Sequence, residues 1–300
     1  MTRHKMKENR SDLKSMGMFI ASMVIFGTIG IFRRAIPLPS AFLACTRGIL
    51  GGAFLTGFIR LRKLDTGPKL PARAFLRLAL TGAMIGINWI LLFEAYEHTT
   101  VAVATLCYYM QPTIVVLLSP LIFKERITGV KALCAAVSVA GMVLVSGVIG
   151  GAAGQGDHFK GVLLGLGAAL FYSAVVIMNK KTRGVDPYVR TVIQLFSAGS
   201  VMIPYLILTD GFVVTGMDLT AAALLLIVGI VHTGLAYALY FGSMDGLSVQ
   251  TIAVFSYIDP VAALFFSALL LSEPLSLINV IGAVMIIGSA MVSGIVKTDT

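Results

Sequence analysis

Ten stretches of about twenty apolar residues follow one another along the chain, and few folds accommodate such a pattern. They run over 15–34, 38–59, 74–96, 99–121, 127–148, 160–180, 187–209, 218–243, 247–271 and 276–296. A helix that crosses a bilayer needs about 20 mostly apolar residues. The stretches are too long for barrel strands and do not alternate with period two, so they predict helices. Turn chemistry separates them: "PLPS" at 37–40, "KLDTGPKLP" at 63–71, "GGAAGQGDH" at 150–158, "GVDP" at 184–187 and "SEP" at 272–274. Charged residues make up only 12% of the chain and apolar ones 57%, whereas a soluble domain is nearer a quarter charged. The chain is therefore expected to be an all-α membrane protein with ten transmembrane helices.

The net charge of +9 raises the question of a nucleic-acid partner, and the distribution of charge answers it. The basic residues sit in short runs between apolar stretches, as they do when charge sets membrane topology. With the N-terminus in the cytoplasm, only Arg33, Arg34 and Lys160 fall outside, and Arg47 lies within a span. The other nineteen of the 23 Lys and Arg residues fall inside. That asymmetry predicts both termini in the cytoplasm and no nucleic-acid binding. Arg33-Arg34, rather than a small-residue cleavage site, follows the first stretch. It is therefore read as a span and not as a removed signal. Cys45, Cys107 and Cys134 are odd in number and lie in apolar segments, so they read as packing residues.

The sequence repeats itself weakly. "YYMQPTIVVLLSPLIFKERIT" at 108–128 is echoed by "SYIDPVAALFFSALLLSEPLS" at 256–276. Gly86 and Gly234, Phe93 and Phe241, Tyr109 and Tyr257, Pro112 and Pro260, and Glu125 and Glu273 each stand 148 residues apart. Each half holds five spans, an odd number, so the second half crosses the membrane in the opposite sense. Inverted repeats of this kind suit alternating access around a central site. The expected organisation is a tail at 1–14, a five-helix repeat at 15–148, an extracytoplasmic linker at 149–159, an inverted repeat at 160–296 and a tail at 297–300.

Two five-helix halves, each with a proline in its fourth helix and a glutamate just after it, resemble the drug/metabolite transporter superfamily. The likeness is closer to its ten-helix EamA-type members. It rests on Arg47, on "QPTIVVLLSPLIFKERIT" and on "DPVAALFFSALLLSEPLS", and it covers nearly the whole chain. The resemblance implies a secondary transporter of the bacterial inner membrane that exports small metabolites from a site between the halves. Among relatives, the chain is similar to YddG-like exporters of aromatic and hydrophobic amino acids.

Several residues are candidates for that site. Pro112 and Pro260 each remove a backbone hydrogen bond, and serve either as tolerated kinks or as hinges beside the site. Met84, Trp89, Tyr108 and Tyr109 have repeat counterparts in His232, Tyr237, Ser256 and Tyr257. Together they supply the aromatic faces and few polar groups of a small-molecule cavity, although each aromatic reads equally as helix packing. Glycines 82, 86, 161 and 165 read as close-packing positions. His232 is an intramembrane ionisable group. It either meets the substrate or protons, or is a neutral histidine bonded nearby.

Arg47 and Asp259 fall near mid-helix, where an unpaired charge costs about 3 kcal/mol. They are expected to pair, with anchoring of a carboxylate and proton coupling as the respective alternatives. Gln111 is the repeat counterpart of Asp259, Gln194 lies within one residue of that of Arg47, and the two glutamines are expected to pair likewise. Glu94, Glu97 and His98 read as a solvated outer rim. No metal or cofactor fingerprint and no enzymatic motif appears. The expected partners are lipid and an amino-acid-like substrate, and the expected state is a monomer. Efflux of cationic drugs, with Asp259 as the acid, is the alternative. A channel would want a narrow filter or charged rings, and none is evident.

Overall fold

The computed structural model describes residues 3–67, 70–123, 127–146, 156–182, 184–208, 217–244, 247 and 249–295. Among them every regular element is helical. The first half contains α1 (Arg3–Gly27), α2 (Ile29–Ala35), α3 (Ser40–Arg62), α4 (Ala72–His98), α5 (Val101–Tyr108), α6 (Gln111–Phe123) and α7 (Gly129–Val145). The second contains α8 (Gly156–Lys181), α9 (Pro187–Ser200), α10 (Met202–Leu208), α11 (Leu219–Gly229), a π-helical turn (Ile230–Leu235), α12 (Ala236–Met244), α13 (Val249–Phe255), α14 (Ile258–Leu270) and α15 (Leu277–Ile295). Glu125, most of the linker at 149–159 and the tail at 297–300 lie outside the described residues.

Eight helical stretches among the described residues are long and apolar enough to cross a membrane. The fifth and ninth expected spans appear as the shorter apolar helices Gly129–Val145 and Ile258–Leu270. The ninth is short because a turn at Ser256-Tyr257 divides it from α13. Large apolar side chains cover the outside of the bundle, and Leu219 is 87% exposed. A water-soluble protein rarely leaves so continuous an apolar surface.

The prolines do not sit where a mid-helix kink would put them. The fourth span breaks at Tyr109-Met110, and Pro112 stands in the first turn of α6. The ninth breaks at Ser256-Tyr257, and Pro260 stands in the first turn of α14. A proline in a first turn forfeits no intrahelical bond, which is why both are tolerated there. Each still withholds the amide that would close onto the carbonyl four residues back, that of Tyr108 or Ser256. The proline inside a helix is instead Pro120, in α6.

The halves interleave rather than lie side by side. α4 packs on α8 and α9, α3 on α9, α1 on α12 and α14, and α7 on α15. Small residues permit the close crossings. A β-carbon on Gly48 would stand 2.7 Å from the Gly199 nitrogen, and one on Gly199 would stand 2.8 Å from the Cys45 carbonyl. Gly82 and Gly86 let α9 approach α4, while Gly161 and Gly165 let α8 approach Thr99, Ala104 and Cys107. All four therefore pack as the sequence suggested. The three cysteines are buried and free.

Candidate functional site

Two intramembrane charges meet side chains from places where regular helical bonding is interrupted. Arg47 lies in the middle of α3 and is buried. Its Nε donates to Thr233 Oγ1 at 2.8 Å. Its guanidinium carbon lies 4.1 Å from the centroid of the Trp89 ring and 5.6 Å from that of Phe93. A desolvated cation on an aromatic face gains about 2 kcal/mol. Thr233 belongs to the π turn, and its hydroxyl donates to the Val228 carbonyl five residues back, 3.0 Å away. The wider turn thereby aims the Thr233 oxygen at Arg47. Next to it, His232 Nε2 lies 3.0 Å from Thr28 Oγ1, and the ring packs 4.4 Å from that of Phe32. Its Nδ1 is buried and, among the described residues, has no hydrogen-bond partner. Thr28 stands in the break between α1 and α2.

Asp259 stands in the first turn of α14, where the helix dipole favours a negative charge. The hydroxyl of Tyr109, in the break of the fourth span, donates to Asp259 Oδ2 at 2.6 Å. The two helix breaks thus meet across the repeats. Tyrosines continue outward from this bond. Tyr109 lies 5.7 Å edge-on from Tyr108 and 6.5 Å from Tyr257, and Tyr108 lies 5.5 Å from Tyr172. All four are half-buried. Tyr237 stacks on Phe241 at 5.9 Å and meets Phe26 edge-on at 5.2 Å. It lies within electrostatic reach of both Arg47 and Asp259.

One end of the bundle is tied together by polar contacts. Glu273, just past α14, accepts from the Val101 amide at 3.0 Å and the Ala102 amide at 3.4 Å. A glutamate of the second half therefore caps α5 of the first, where free amides and the dipole both favour a carboxylate. Arg34 reaches the same carboxylate at 3.6 Å and donates to the Thr99 carbonyl at 2.7 Å. Arg33 pairs with Glu97 at 3.2 Å and donates to the Ile36 carbonyl and to Ser40. His98 lies 3.6 Å from Asp157. A recess of about 500 Å³ opens here, lined by Arg33, Arg34, residues 36–39 and Glu97.

The profile of the EamA-like transporter family matches residues 13–147 and again 159–295. The chain belongs to that family. The family model thus matches the chain twice. An uncharacterized transporter, YxxF, of Bacillus subtilis (strain 168) is 30% identical over 89% of this chain and 85% of its own. Protein PecM of Dickeya dadantii (strain 3937) is 28% identical over 76% of this chain and 77% of its own. A solved structure titled only "Crystal structure of protein" shares the fold, with a TM-score of 0.65 at 18% identity over 93% of this chain and 96% of that one. As an EamA-family member the chain is a multi-pass membrane transporter.

Within this transporter the expected site residues fall into two groups. Trp89 and His232 join Arg47, and Tyr108, Tyr109 and Tyr257 join Asp259, with Tyr237 between. Met84 is half-buried against the same core cluster as Trp89. Ser256 is turned back onto its own helix, donating to the Ile252 carbonyl at 2.7 Å. The expected Arg47–Asp259 pair is not formed: among the described residues no ion pair joins them, and each has other partners. The arginine instead stacks on Trp89 of the first half and bonds Thr233 of the second. Gln194 likewise meets Thr81 and Asn179, each at 2.8 Å, rather than Gln111. Sequence reading missed Tyr172, Thr28 and Thr233. Tyr172 has Val24 as its repeat counterpart, so comparing the halves gave no signal there. Thr233 adjoins His232, but only the π turn brings it to Arg47.

Proposed function

We propose that this transporter exports small zwitterionic metabolites, aromatic and branched amino acids first, by alternating access between its halves. In this reading ten helices cross the bacterial inner membrane as two inverted sets of five, with both termini cytoplasmic, and one chain suffices. The observation that carries it is the meeting of the two helix breaks, where Tyr109 of the first half bonds Asp259 of the second inside a group of tyrosines. The aromatic faces suit an apolar side chain, and the carboxylate suits an ammonium or a coupling proton. Glu273 and Arg34 hold the two halves together at the outer end. The described conformation is accordingly outward-closed.

The test is exchange of labelled phenylalanine or leucine in liposomes preloaded with unlabelled competitors, with and without a pH gradient. Saturable exchange supports the reading, and its absence in folded protein overturns it. A second reading, efflux of organic cations, is favoured by one fact: Arg47 is buried against Trp89, whereas Asp259 is half-buried.

A further inference from the structure

We infer that Asp259 and Tyr108, Tyr109, Tyr172 and Tyr257 form an organic-cation subsite that holds the substrate's ammonium group. The inference rests on the transporter reading above and names the group that its site recognises. It stands on three observations.

Asp259 is the first. Among the described residues its Oδ2 accepts from Tyr109 and no donor meets Oδ1, and Asp259 is half-buried rather than sealed. A carboxylate oxygen that stays reachable but unpaired within a helical bundle is an open acceptor. Leaving it unfilled is costly there, because little water is at hand to satisfy it.

The rings are the second. Tyr109 sits between Tyr108 and Tyr257, and Tyr172 extends the group behind Tyr108. Aromatic faces carry negative potential and attract a cation within about 6 Å of a ring centroid. Rings around a carboxylate therefore reinforce its preference for a positive group instead of competing with it.

The third is the state of Arg47. An anionic group would look to this cation, but the guanidinium lies on Trp89 with its Nε donating to Thr233, and Arg47 is buried whereas Asp259 is half-buried. The more reachable of the two charges is negative. Ligands with an ammonium and an apolar or aromatic body fit this arrangement, with or without a carboxylate.

Four related compounds separate these features: phenylalanine, phenethylamine, benzyltrimethylammonium and 3-phenylpropionate. Their binding to the purified full-length protein is measured by calorimetry, together with fluorescence of Trp89, the only tryptophan. The inference expects both amine cations to bind and 3-phenylpropionate not to bind. Asp259→Asn should weaken the cations by about thirtyfold or more, and Asp259→Glu, which keeps the charge, should recover part of the loss. Melting curves of each variant establish that it is folded.

Cations that bind while phenylalanine does not leave the inference standing and overturn the amino-acid reading. Phenylalanine and 3-phenylpropionate that bind while the cations do not overturn the inference and leave that reading standing. Cation binding unchanged in Asp259→Asn overturns the inference, and four compounds that all fail to bind folded protein overturn both.

Discussion

Arg47 and Asp259 are both charges placed within apolar helices, but the fold treats them in opposite ways. Arg47 is buried, stacked on Trp89 and Phe93 and bonded to Thr233. Asp259 is half-buried and, among the described residues, meets one donor, Tyr109, which comes from the other half. Both hydrogen bonds cross between the halves, so burial and stacking separate the two charges. A charge buried against two rings belongs to the framework, whereas a half-buried one held by a single bond can change partners when the halves move. Intramembrane ionisable groups are functional candidates by default, and this contrast shows how partners sort them.

The largest effect expected from breaking the contrast is on transport. Asp259→Asn should lower substrate exchange in liposomes about a hundredfold, since losing one strong charged contact of about 3 kcal/mol is worth two decades. Thermal unfolding should change little. A variant that melts like a damaged core instead would place Asp259 in the framework.

Glu273→Ala comes next. It removes a cross-half cap worth about 1–2 kcal/mol, enough to shift a closed–open balance about tenfold. Labelling of a cysteine at Ala102 by a water-soluble maleimide should speed up accordingly, and an unchanged rate would deny the seal. Trp89→Leu should lower unfolding stability in detergent by about 2 kcal/mol, because the Arg47 guanidinium loses its aromatic face. Exchange should fall only in proportion to folded protein.

The smallest effect is expected at Arg47 itself. Insertion of the charge costs about 3 kcal/mol. The aromatic face returns about 2 and the hydrogen bond about 1. Arg47→Met, similar in bulk and uncharged, should therefore leave stability within about 1 kcal/mol of the native value. A collapse of folding would show that the arginine does more than its visible contacts suggest.

Much of the architecture could be read from the chain because the bilayer constrains it so strongly. Apolar length marked the helices, and the family profile matches two stretches of the chain separately. The site was read less completely. Pro112 and Pro260 stand in the first turns that follow the helix breaks, not inside unbroken helices. Trp89 is the seat of Arg47. Thr233 and Tyr172 carried no signal, since the partner of each is fixed by packing between elements far apart in sequence.

Read along one dimension, the chain already specifies a bundle of apolar helices in two related stretches, with two charges and a set of tyrosines inside. Hydrophobic length and local turn chemistry are properties of contiguous residues, so one dimension suffices to record them. That Arg47 meets Trp89 and Thr233 while Asp259 meets Tyr109 emerges only on folding. Hydrogen bonds and ring contacts reach only a few ångströms, and the sub-turn shifts from the π segment and the helix breaks decide which side chains come within that reach.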